Sequence, residues 1–269
     1  MVTGVISYNL TNASYAKWSS NVESKNIIKL SVKSEMNATK FATKTVGTDG
    51  LEQITHTIDN TLQVDERFTT EYRYRGGDSV VKNYVTFNNE TWRIIGVIPT
   101  EDTNGNVENR FKIIRDTSIG NMYWNEDGDN KWTSATLNTY LNKDYYKTLR
   151  RDAKNMIGTT KYYLGVYKNS EITTDIMWQY ERTNDAYSSG INPVMQNDAS
   201  KKIAIMYASD YGYGASNNCS RKLYYYSEDE DSNCVAINNW LDKSANTWLL
   251  PYHSYLSDHA FYVTPLGNV

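Results

Sequence analysis

The chain has 269 residues, 28 Lys and Arg against 31 Asp and Glu, and a formal net charge of −3. That length holds one main domain with an extension, and the weak charge excess excludes the electrostatic footprint of a nucleic-acid or anionic-membrane binder. No run of about 18 apolar residues offers a transmembrane helix, and 23 Tyr beside 7 Trp and only 5 Phe give an aromatic content suited to half-exposed contact surfaces.

Residues 1–65 are rich in Ser, Thr, Asn and Lys, with weak periodicity, and read as an N-terminal extension or attachment subdomain. Within them residues 2–10 read as a strand. Tyr15, Trp18 and Val22 at helical spacing make 13–22 a short amphipathic helix. Gly47-Thr48-Asp49-Gly50 is a turn signal. From residue 66 the signals sharpen. Tyr72-Arg73-Tyr74-Arg75 is followed by a Gly-Gly-Asp turn, and 84–87 and 92–98 form a hairpin across Asn88-Asn89-Glu90. A turn at Thr103-Asn104-Gly105-Asn106 leads into a strand over 110–115. Residues 134–141 read as a helix capped by Thr133 or Ser134, with Leu137, Tyr140 and Leu141 on one face. A second helix covers 150–157, a strand 162–166, and a third helix 171–180 behind the cap Ser170. Residues 203–207 read as a buried strand running into Ala208-Ser209-Asp210-Tyr211-Gly212-Tyr213-Gly214. Residues 247–250 and 260–263 close a C-terminal hairpin. The pattern is α+β, with short strands, long loops and no βαβ alternation.

Cys219 and Cys234 flank one polar loop, which favours a disulfide over a metal site lacking further Cys or His ligands. Such a bridge implies an oxidising compartment. The acidic runs Glu228-Asp229-Glu230-Asp231 and 125–130 lack the ligand spacing of a calcium loop and read as solvated loop tips, so no metal is expected. Trp92, Trp132, Trp240 and Trp248 each lie in an apolar pattern and are expected in the core. Between Trp248 and Val269 stand two of the three histidines of the chain. Tyr252, His253, Ser254, Tyr255, Ser257, Asp258, His259, Phe261 and Tyr262 combine rigid aromatic anchors with adaptable polar groups, the make-up of a ligand-binding face. No nucleophile elbow surrounds Ser254 or Ser257 and no Cys is close, so no catalysis is expected there.

Residues 83–97, together with Trp132-Thr133-Ser134-Ala135-Thr136-Leu137-Asn138, 205–213, Asn239-Trp240-Leu241 and Trp248-Leu249-Leu250…Val263…Gly267-Asn268-Val269, resemble a domain of gut Firmicutes surface proteins. The resemblance covers about residues 70–269 and implies the C-type-lectin fold, in the branch that also holds formylglycine-generating enzymes. The paired active-site cysteines of those enzymes have no counterpart in Cys219 and Cys234. The Glu-Pro-Asn sugar-site motif of calcium-dependent lectins is absent, and Trp240-Leu241-Asp242 departs from the companion Trp-Asn-Asp motif. The C-terminal stretch is also similar to variable proteins of diversity-generating retroelements, whose mutated Asn codons become Tyr, His, Ser, Asp, Thr, Ile or Phe. The nine residues named above belong to that set, while Trp248, Leu249, Leu250, Pro251, Ala260, Val263 and Gly267 do not and resemble scaffold.

The expectation is therefore a C-type-lectin-like α+β domain over 66–269, with short twisted strands, a few helices and long loops, behind the 1–65 extension. Its expected role is non-catalytic ligand binding, as an adhesin or receptor-binding protein on a bacterial cell surface or a phage particle. The partner would be a protein or glycan on another cell or host surface, and no cofactor is implied. A structural pilus or coat subunit, or an enzyme of the same fold branch with an unrecognised site, are the alternatives from other classes.

Overall fold

The structure is a computed structural model that describes residues 37–62, 64–165, 167, 169–183, 195–228, 233–250 and 258–269, and the backbone alone of 4–7, 27–29 and 251–252. In chain order come β1 (Gly4–Ser7), β2 (Ile27–Lys29), α1 (Ala38–Thr45), β3 (Leu51–Thr55), β4 (Thr70–Tyr74), β5 (Tyr84–Phe87), β6 (Glu90–Glu101) and β7 (Val107–Arg115). Then follow α2 (Thr136–Tyr140), α3 (Tyr146–Thr148), α4 (Arg151–Met156), β8 (Tyr162–Tyr163), α5 (Thr174–Arg182), β9 (Met195–Gln196), β10 (Ile203–Ile205), α6 (Ala208–Gly214), β11 (Thr247–Tyr252) and β12 (Ala260–Val263). The mixture of antiparallel strands and helices is α+β, as the sequence pattern implies.

Eight strands form the main sheet in the order β10-β1-β7-β6-β4-β3, with β5 beside β6 and β2 beside β5. The long strand β6 is its backbone. One edge pairs with β7 from Trp92 to Glu101, and the other pairs first with β5 and then with β4. The β6–β7 register shifts between Ile94 and Gly96, so β6 bends where it changes partner. Gly96 is required at that bend, because a Cβ would lie 2.1 Å from the Tyr72 carbonyl oxygen. The β5–β6 hairpin turns through Asn88 and Asn89 with φ of 55° and 60°, the left-handed pair that a two-residue hairpin needs.

The expected division at residue 65 does not split this sheet. Strand β3 pairs with β4 across it, and β1 lies between β7 and β10. Helix α1, which the weak periodicity of the N-terminal part concealed, buries Ala38, Phe41 and Ala42, and Phe41 packs edge-on against Phe111 of β7. The helix anticipated at 13–22 lies outside the described residues.

Two capping expectations are corrected. Helix α2 begins at Thr136 and not behind a Thr133 or Ser134 cap. Its first turn is held from a distance, by Asn125 Oδ1 accepting from the Thr136 amide and hydroxyl. It continues into a π-helical turn, Leu141–Tyr145. Helix α5 starts at Thr174 behind Thr173, and the Ser170 hydroxyl instead donates to the Val269 carbonyl. The strand expected over 162–166 narrows to Tyr162 and Tyr163, which pair with β9.

The core holds Trp92, Trp132 and Trp240, each at most 1% exposed. Cys219 and Cys234 are joined by a disulfide with a Cα–Cα distance of 4.9 Å. Closing a loop of that size stabilises the fold by about 3 kcal/mol.

Candidate functional site

The two strands of the C-terminal hairpin place the expected binding residues differently. β11 and β12 pair antiparallel, with Trp248 opposite Tyr262 and a register shift between Trp248 and Tyr252. Alternation along β12 turns Phe261 inward and Tyr262 outward, at 9% and 43% exposure. Phe261 is thus a member of the hydrophobic core, a correction to its expected place on the contact face. Asp258 and His259 are exposed, and His259 Nδ1 lies 2.6 Å from Asp258 Oδ1. That hydrogen bond holds the Asp258 carboxyl below the usual carboxylate range. Tyr252 closes β11, while His253, Ser254, Tyr255 and Ser257 lie outside the described residues.

Beside Tyr262 a cleft of ≈ 420 Å³ opens, walled by Asn121, Met122, Asn246, Thr247, Trp248 and Tyr262. Its volume is within the range of small-ligand sites, about 300–1,000 Å³. A row of rings runs from its wall into the core. Trp132 packs on Trp124 at 5.3 Å, Trp124 on Trp248 at 5.9 Å, and Trp248 on Tyr262 at 5.8 Å with an interplanar angle of 71°. The row runs from a fully buried ring to a half-exposed one, so the outer rings are fixed by the inner ones. Trp248 Nε1 donates to the Met122 carbonyl at 3.0 Å, which turns its polar edge into the protein. Asn130 Nδ2 donates to the His259 carbonyl at 2.8 Å and ties the loop after β7 to the hairpin. The lining offers rings, a thioether and amides, and no carboxylate, imidazole or thiol among the described residues.

A second cluster, unforeseen from the sequence, lies under β4. Glu71 and Arg73, two residues apart on one face of that strand, are 0% and 1% exposed. Arg73 reaches Glu71 at 2.8 Å and Asp210 of α6 at 2.5 Å, and Lys112 of β7 reaches Asp210 at 2.6 Å. His56 stands between Glu71 at 3.0 Å and Asp175 of α5 at 2.8 Å, its ring stacked on Trp178.

Burial alone would raise the Glu71 carboxyl, but Arg73 and the His56 hydrogen bond hold it far below the usual range. Asp210 is likewise lowered against its burial by Lys112 and Arg73. Burial outweighs the partners elsewhere. It raises the Glu181 carboxyl to about 7, against Arg182 and Ser209, and lowers the Lys112 amine to about 8. Asp175, with 47% of its side chain exposed, is the member that meets solvent. A narrow cavity of ≈ 40 Å³ beside Lys112 and Arg182 has room for water and little more. The cluster is a matched structural network, with no substrate-sized space beside it among the described residues.

No family model, no curated protein and no solved structure matches the chain.

Proposed function

We propose that this chain is a non-catalytic ligand-binding protein of C-type-lectin-like fold, an adhesin or receptor-binding protein exposed on a bacterium or a phage. The observation that carries this reading is the open, ring-walled cleft beside the C-terminal hairpin. Trp248 and Tyr262 offer apolar area held in place by the rings behind them, which lowers the ordering cost of binding. Asn121 and Asn246 supply directional polar groups at the same opening. The described lining is made of rings, a thioether and small polar groups, the make-up of a contact surface. Asp258 and His259 extend the contact area along the hairpin, and Phe261 supports it from beneath. Diversification by a retroelement would act on the outward codons of this hairpin and leave Trp248, Leu249 and Gly267 constant.

The decisive test compares the native chain with Tyr262→Ala for retention on intact bacterial and epithelial cells. Loss of retention with an unchanged melting temperature supports the reading. Equal retention of the two proteins overturns it. Sequencing the 3′ end of the gene across related strains tests the diversification separately: substitutions confined to the outward hairpin codons support it, and uniform codons remove it.

A further inference from the structure

The chemistry of the cleft's surroundings narrows what can occupy it. We infer that the cleft takes the cationic side chain, lysine or arginine, of a protein partner; this rests on the binding reading above and names its ligand class.

Trp248 and Tyr262 meet at 71°, so their rings form a corner and not a flat platform. The Trp248 N–H is already used on the Met122 carbonyl, so Trp248 offers the cleft ring carbon and not a donor. A ring corner of this kind attracts an ammonium or guanidinium group through the negative potential of the ring faces. Met122 beside it suits the methylene stem of such a side chain.

Among the described residues no charged side chain lines the cleft; the loop and the hairpin that wall it both carry carboxylates along the chain, with Lys243 ahead of Asn246. The loop that supplies Asn121 and Met122 continues into Glu126 and Asp127, both exposed, and Asp129, with Lys131 as its one cation up to Trp132. The hairpin that supplies Tyr262 carries Asp258, 66% exposed at its side chain. The Asn130–His259 bond holds these two acidic segments together. Acidic segments that flank an uncharged aromatic corner are complementary to a basic segment: their charge steers it in and the rings retain it. A neutral sugar would use the rings and the amides and would gain nothing from the acidic segments.

Calorimetric titration of the full chain tests this with three probes: a capped tetralysine peptide, the same peptide fully Nε-acetylated, and the neutral oligosaccharide cellotetraose. Tetralysine is expected to bind, to weaken as salt rises past the range where the Debye length falls below about 10 Å, and to weaken roughly three- to tenfold in Tyr262→Ala. The double variant Glu126→Gln/Asp127→Asn, at exposed positions, is expected to reduce binding and its salt dependence together. Melting temperatures of Tyr262→Ala and of the double variant that match the native chain guard against a folding artefact. Equal binding of the acetylated peptide, or tetralysine binding that ignores Tyr262→Ala, overturns the inference. Binding of cellotetraose alone, lost in Tyr262→Ala, overturns the cationic ligand and leaves the binding face standing. If no probe binds in a Tyr262-dependent way while cells still retain the native chain and release the variant, the ligand class is again wrong and the face stands. If cell retention also ignores Tyr262, the face itself falls.

Discussion

Under β4, charged side chains are buried and matched to one another; at the C-terminal hairpin, rings and amides face an open cleft whose described lining carries no charge. The two regions put polar and apolar chemistry to opposite uses. In the first, Arg73 serves Glu71 and Asp210 at once, and Asp210 also accepts from Lys112 and from the Tyr207 amide. Each group is satisfied only because the others are in place, which ties β4, β7 and α6 into one relative position. In the second, Tyr262 is 43% exposed and its ring meets Trp248, so it can change while the sheet beneath stays as it is. The contrast separates residues that specify the fold from residues that are free to specify a partner.

The largest effect is expected from breaking the first region. Arg73→Met leaves Glu71 and Asp210 buried with only part of their compensation, and removal of one partner from a buried ionic cluster costs about 3–5 kcal/mol. Urea unfolding followed by circular dichroism measures it. A loss below about 1 kcal/mol would mean that water reaches these carboxylates, and the contrast between the regions would collapse. Next in size is Phe261→Ala, with an expected loss of about 3 kcal/mol, because this hairpin residue belongs to the core.

Glu181 gives a smaller effect with a defined pH window. Its folded carboxyl is raised to about 7 from an ordinary 4.5, chiefly by burial. The folded state therefore holds a proton that the unfolded state releases. Stability from this group is fully present below about pH 4.5 and is lost as the pH rises through about 7. Glu181→Gln removes that slope and gains stability at pH 7 and above, on the order of 2 kcal/mol. Lys112 works in the other sense at higher pH. Its folded amine is lowered to about 8, so stability recovers as the pH climbs from 8 toward the ordinary lysine range. Melting temperatures of native and Glu181→Gln protein from pH 4.5 to 8 check the window. Parallel curves would place Glu181 in contact with solvent.

The two regions also differ in how far the sequence reveals them. The C-terminal hairpin was legible, because its strands alternate and its residues are neighbours along the chain, and the β5–β6 hairpin followed from Asn88 and Asn89. The network under β4 was not, since its partners lie far apart: His56 meets Asp175 across 119 positions and Arg73 meets Asp210 across 137. A weak signal existed in Glu71 and Arg73, two charges on one face of a strand whose neighbours are aromatic. Helix α6 was hidden by Gly212 and Gly214, poor helix formers that are held by packing and by the Asp210 carboxylate on the Tyr207 amide. The cleft was half visible. Tyr262 was anticipated, but Asn121 and Met122 come from a distant loop, and Trp248 was expected only as core. Phe261 departs from its expected place on the contact face because one step along a strand reverses the side-chain direction.

That single step supplies the finest test. Tyr262→Ala removes an outward ring whose counted neighbour is Trp248, in an edge-to-face contact at 5.8 Å. Such a pair contributes about 0.5–1.5 kcal/mol beyond burial in a packed setting, and less where nearly half the ring is in water. The expected loss of stability is below about 1 kcal/mol, against about 3 kcal/mol for Phe261→Ala one residue away. Denaturant midpoints of the two variants, measured side by side at unchanged slope, give the ratio directly. A clear separation means that β12 carries a fold-specifying face and a face free to vary back to back. Equal losses would make Tyr262 as much a part of the core as Phe261, and a variable or ligand-gripping surface on this hairpin would then come at the expense of the fold itself.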